Sequence, residues 1–127
     1  MATKRVKWRT KPQAKDFAAA AAYLRLILPE RETATIVAKL KRAKTIKQLP
    51  KDIERASGLP LLSDDDPEIA DKLKKLKKGD PLSPILLIRG NASRGMRLTI
   101  ADGYHRVCAA YLVDQEADIP CRLVDLS

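Results

Sequence analysis

Apolar positions recur at helical spacing through the first half of this chain and gather into short continuous runs in the second. Phe17, Ala21, Leu24 and Leu28 share one face of a helix that Asp16 is placed to cap and that runs to about Leu28. Pro29 ends that helix or opens the next, Glu30 to Lys44, whose apolar face is Ile36, Val37 and Leu40. A shorter helix is expected from Pro50 to Ser57, with Gly58 at its exit. Leu59 to Asp65 is turn-rich. The strongest helix signal follows: Asp66 as N-cap, Pro67 in the first helical position, Gly79 at the exit, and Ile69, Leu73 and Leu76 on one face.

After Gly79 the period changes. Pro84 to Arg89 is an apolar run suited to a strand buried on both faces. Gly90 to Gly95 is a polar loop, and Met96 to Ala101 returns as the second strand of a hairpin. Tyr104 to Leu112 is a helix with Val107, Ala110 and Tyr111 facing the core. Ile119 to Val124 is a last strand, with Ile119, Cys121 and Leu123 alternating against Arg122. The expected class is α+β: a helical N-terminal half followed by a small mixed sheet with packed helices.

The length of 127 residues suits one domain with a modest core. The expected divisions are a basic arm over residues 1–14, a helical segment over 15–57 and an α/β unit over 58–127, the last two forming one compact body. No apolar run is long enough to cross a membrane, and the first residues lack the apolar core of a secretory signal. Cys108 and Cys121 lie inside apolar patterns and read as reduced core residues of a cytoplasmic protein, although spacing alone does not exclude a disulfide.

Charge changes the picture because it is uneven. The chain carries +9 overall, with +11 in residues 1–51 and −2 in the remainder. The first half is therefore suited to a polyanion, and Lys4, Arg5, Lys7, Arg9 and Lys11 are the expected nucleic-acid contacts. The alternative is a set of solvated helical faces. Trp8, Phe17 and Tyr23 are too few for a base-stacking platform. The run from Lys72 to Lys78 reads mostly as the solvated side of an amphipathic helix. Glu68–Lys72 and Asp71–Lys75 are i,i+4 pairs in the favourable order.

The richest chemistry lies in Ala101-Asp102-Gly103-Tyr104-His105-Arg106. A strand enters a glycine turn, and a helix opens with the only histidine and an arginine in its first turn. Free N–H groups and the positive dipole end suit phosphate there. Gly103 permits a positive φ or close backbone approach. Arg106 can fork onto two phosphate oxygens. Asp102 can cap the helix or ligate a metal ion, and a histidine is the residue type suited to proton transfer in the neutral range. The plainer alternative is a strand-to-helix turn with Asp102 as N-cap, an exposed arginine and a half-buried histidine.

Residues 58–125 resemble the ParB/sulfiredoxin-like superfamily. The resemblance rests on the acid-capped helix, Leu82 to Ile88, Ile100 to Ala110 and Ile119 to Val124. It implies a ParB/sulfiredoxin-like mixed sheet and a phosphate site at Gly103, Tyr104, His105 and Arg106. Partition proteins of this superfamily hold CTP with a Gly-Glu-Arg-Arg box, of which Gly103 and Arg106 match. Sulfiredoxins have a reactive cysteine where Tyr104 stands. Free-serine kinases carry Asp-Gly-His-His-Arg, matched here at Asp102, Gly103, His105 and Arg106, with Tyr104 replacing the first histidine. That branch implies Asp102 and His105 as catalytic groups, Asp102 beside magnesium, and an upstream glutamate for which Glu54 and Glu68 are candidates.

The resulting expectation is a ParB-like nucleotide- or phosphate-binding protein. It would take ATP, ADP or CTP with Mg²⁺, or an oxyanion, and contact nucleic acid through its basic half. The alternative is a nucleotide-dependent phosphotransferase or a nuclease.

Overall fold

The computed structural model describes residues 6–126. Among them are α1 (Ala14–Leu24), α2 (Glu30–Arg42), β1 (Ile46–Gln48), α3 (Pro50–Ser57), α4 (Pro67–Lys78), β2 (Ile85–Ile88), β3 (Thr99–Asp102), α5 (Tyr104–Asp114) and β4 (Ile119–Val124). The strands form one mixed sheet in the order β1-β4-β2-β3. β4 and β2 run parallel; β1 on β4 and β3 on β2 are antiparallel.

Helices cover both faces of this sheet, which explains why β2 is apolar throughout. Ile85 and Leu87 point to one side, where they join Ile53 of α3, Ile100, Val107 and Ala110 of α5, Ile119 and Cys121. Leu86 and Ile88 point to the other, where they meet Ala20 and Leu24 of α1, Ile36 and Leu40 of α2, and Ala101. The small side chains of the α1 alanine run let that helix lie close on β3. The N-terminal helices thus cover one face of the sheet rather than standing apart from it.

Several termini follow their local chemistry. Asp66 accepts from the N–H groups of Glu68 and Ile69, and Gly79 closes α4 with φ of 82°. Gly58 closes α3 in the same left-handed region. The first helix departs from expectation. It begins at Ala14 with Gln13 as cap and ends at Leu24, not near Leu28. Asp16 sits in its first turn and reaches back to accept from the Gln13 N–H at 2.7 Å. β1 was not visible in the sequence: all three of its residues are exposed and only its edge pairing defines it.

The expected basic arm is partly docked. Trp8 forms a parallel bridge with Leu82 and packs half-buried against the core. Arg9 N–H donates to Leu82 O at 2.7 Å, and Leu82 N–H donates to Lys7 O at 2.9 Å. An indole has enough apolar area to anchor a short segment against a core. Lys4 and Arg5 lie outside the described residues.

Arg122 of β4 is buried and, among the described residues, has no carboxylate partner. Its guanidinium donates to Leu40 O and Lys41 O at 3.1 and 2.9 Å, satisfying the last carbonyls of α2. Cys108 and Cys121 are buried and free.

A candidate anion-binding cleft beside the first turn of α5

The β3–α5 turn explains the geometry of the box. Gly103 caps α5 with φ of 110°, a region costly for any side chain. A Cβ there would also stand 2.8 Å from Arg106 Nη2 and from Ile85 Cδ1. The expected Asp102 N-cap is corrected: Asp102 is the last residue of β3, and α5 has no side-chain cap. Its carboxylate accepts instead from Arg106 Nη2, one helical turn away, at 3.0 Å.

Arg106 is neither exposed nor free. Nη2 also donates to Pro84 O at 3.1 Å, and Nη1 lies 3.6 Å from Asp16 Oδ1. Asp16 is 4% exposed at its side chain, Arg106 13% and Asp102 16%. One guanidinium therefore bridges two largely buried carboxylates from distant parts of the chain. Burial pushes the Asp102 carboxyl above the usual range; Arg106 opposes this and Asp16 adds to it. Arg106 Nε is buried with no hydrogen-bond partner.

The neighbouring box residues face elsewhere. The Tyr104 hydroxyl donates to Pro60 O in the α3–α4 connection. His105 Nδ1 lies 3.0 Å from Glu68 Oε2 at the start of α4. Glu68 therefore faces His105, and of the two expected i,i+4 pairs on α4 the ion pair that forms is Asp71–Lys75, at 3.4 Å. Glu54, the other candidate glutamate, lies near Tyr104 and Cys108, whose titration it influences. Its Oε2 is buried without a partner, and burial raises its carboxyl. Burial likewise raises the Cys108 thiol and pushes Cys121 up to about 11, so neither thiol is an activated nucleophile.

Next to Arg106 opens a cleft of about 290 Å³. Arg9, Lys15, Lys72, Lys75 and Arg106 line it, with Asp16 and Asp80 as the lining carboxylates. Gln13 and Ser83 add polar atoms, and Ser83 Oγ donates to Gln13 Oε1 at 3.1 Å. Cations exceed carboxylates by three on this lining. Lys72 shows the strain: burial, then Lys75 and Arg106, pull its amine below the ordinary lysine value, against a smaller pull from Asp71 and Glu68. The docking of residues 7–9 on Leu82 brings Arg9 here, beside lysines some 65 positions away in the sequence. Lys7 reaches toward Gly79 at the C-terminal end of α4, and Lys11 is exposed.

Sequence reasoning singled out Arg106 and Arg9, read Lys72 and Lys75 mostly as a solvated face and Asp16 as a helix cap, and did not single out Lys15. Asp16 carried a signal, since it is the only acid among the first 29 residues, but nothing local linked it to Arg106. Among the described residues no three His, Cys, Asp or Glu side chains cluster as metal ligands. Asp102 is already engaged by Arg106, and Asp16 by Arg106 and the Gln13 N–H, so these carboxylates do not form a ready cation site. Among the described residues no helix is long and apolar enough to cross a membrane. No protein-family model, curated protein or solved structure matches this chain.

Proposed function

We propose that this protein is a phosphate-binding module of ParB/sulfiredoxin-like type, taking a nucleotide or another phosphorylated anion. The observation that carries the reading is the convergence of Arg9, Lys15, Lys72 and Lys75 on a cleft beside Arg106. Arg9, Lys15 and Lys75 are exposed and Lys72 is half-buried; like charges gathered around one cleft repel one another, and an anion relieves that repulsion. Arg106 contributes to this field while its guanidinium stays bridged to Asp16 and Asp102. The resemblance behind this reading rests on sequence segments, and the order α4-β2-β3-α5-β4 agrees with the helix, strand, strand, helix, strand order read from them.

ATP, ADP or CTP are the nucleotides to be tested first. Any Mg²⁺ would arrive on their phosphates, because Asp102 is occupied by Arg106. Nucleic-acid phosphates are a further ligand for the same cations, with Arg9 the member of the N-terminal basic set that lines the cleft. The buried free thiols suit a reducing compartment such as the cytoplasm.

The test is stabilisation of the full chain by phosphate compounds at low salt. A ligand at ~100 times its dissociation constant adds roughly 2.7 kcal/mol. A chain that no nucleotide or inorganic phosphate stabilises at millimolar concentration is not a phosphate-binding module.

A second reading, phosphoryl transfer, draws on Glu54, a carboxylate with a buried, unpartnered oxygen. Turnover of ATP or CTP that vanishes in Glu54→Gln while binding persists would establish it.

A further inference from the structure

We infer that the cleft recognises a condensed phosphate chain and leaves whatever the chain is attached to outside. This deepens the phosphate-binding reading and rests on it. Three observations carry it.

The first is the lining. Besides Pro81 and Leu82, every lining residue is charged or polar, and none is aromatic. Sites that bury a drug-sized organic ligand are mostly apolar and aromatic, with few polar groups. A nucleobase finds no stacking surface or apolar slot here.

The second is size. Ligand pockets typically run ~300–1,000 Å³, and this cleft is about 290 Å³. That is room for two or three linked phosphoryl groups, and a nucleoside carrying them would extend through the open mouth of the cleft.

The third is charge. Lys72 and Lys75 sit on adjacent turns of one face of α4, while Arg9 and Lys15 come from the N-terminal segment and α1. The cations therefore enter from different sides of the cleft. A single phosphate oxygen cluster meets only part of such a set, whereas a diphosphate or triphosphate presents charge along its length. Asp80 on the same lining disfavours the closest packing of anionic oxygens beside it.

Condensed phosphate reaches a protein either as an inorganic chain or as the tail of a nucleoside triphosphate. The experiment separates the two. The full chain is titrated calorimetrically at low salt with orthophosphate, pyrophosphate, tripolyphosphate, ATP, CTP and GTP, and with adenosine and cytidine. Expected is binding of tripolyphosphate and all three nucleotides within about threefold of one another, weaker orthophosphate, and no nucleoside binding; a loss of one charged hydrogen bond corresponds to roughly tenfold. Lys72→Gln and Lys75→Gln should each weaken tripolyphosphate by about that factor, with cooperative thermal unfolding retained in the absence of ligand.

Tight binding of one nucleotide alone, with tripolyphosphate silent, overturns this inference and leaves the phosphate-binding reading standing. Binding of tripolyphosphate that neither lysine substitution weakens places the chain elsewhere and also overturns it. Silence from every phosphate compound overturns both.

Discussion

The two sides of the first turn of α5 are held in different ways. On one side Arg106 is locked between Asp16 and Asp102 at the wall of a basic cleft. On the other, Tyr104 and His105 hold the α3–α4 connection and the start of α4 through Pro60 and Glu68. In sequence these residues form one box. In space only the arginine side adjoins a cleft where cations outnumber carboxylates, and there Lys75 is also paired with Asp71 at 3.4 Å. Adjacency in a motif therefore does not establish a shared ligand: successive positions on a helix point about 100° apart, and each side chain answers to what lies on its own side.

The sharpest break in this comparison is Arg106→Met. It removes the guanidinium that bridges two largely buried carboxylates, and unpaired buried charge costs about 3–5 kcal/mol. Chemical denaturation should show a loss of that order, and a loss below ~1 kcal/mol would mean the bridge is not structural. Gly103→Ala should cost somewhat less, about 1–3 kcal/mol for a strained backbone, because the new Cβ would crowd both Arg106 and Ile85 at φ of 110°. Its stability should recover little in an Arg106→Lys background, since the φ penalty remains.

Asp102→Asn should be milder, within about 1 kcal/mol of wild type at neutral pH. The amide oxygen still accepts from Arg106, and a balanced Arg106–Asp16 pair is left behind. The pKa direction agrees. Burial raises the native Asp102 carboxyl, so the stability it contributes is present below the ordinary carboxyl value and lost as pH rises through the raised one. At neutral pH the ionised form is therefore a cost to the folded state. A loss as large as that of Arg106→Met would contradict this sign.

His105→Asn tests the other side and should be smaller still. Glu68 is 67% exposed and His105 33%, so the pair is screened and contributes at most about 1 kcal/mol. The smallest effect is alkaline. Lys72 has a native pKa below its ordinary 10.5, so the folded chain gives up this proton first and becomes more stable as pH rises through that range. Lys72→Gln should flatten this part of the stability profile.

The same contrast explains what was legible in the sequence. α3, α4 and β4 could be bounded from caps, prolines, glycines and a run of apolar residues, because those signals act within a few positions. β2 was legible because a strand buried on both faces must be apolar throughout. β1 was not: Ile46, Lys47 and Gln48 are exposed at the sheet edge, and β4 supplies the register. The end of α1 was misplaced because Leu28 stays apolar for packing after the helix has ended at Leu24. Of the site, Arg106 was visible in a turn motif. Its meeting with Asp16 spans ninety positions and depends on α1 lying on β3. The lysines of α4 have a solvated-face pattern, and only the docking of Trp8 and Arg9 on Leu82 turns part of that face into a cleft wall.

The central claim is that the anion seat lies on the Arg106 side of the turn. It is tested most directly by the thermal shift that tripolyphosphate produces in two variants measured beside wild type. The account predicts that His105→Asn keeps the full shift and that the double substitution Lys72→Gln/Lys75→Gln abolishes it. A shift lost in His105→Asn and intact in the lysine double variant would contradict it.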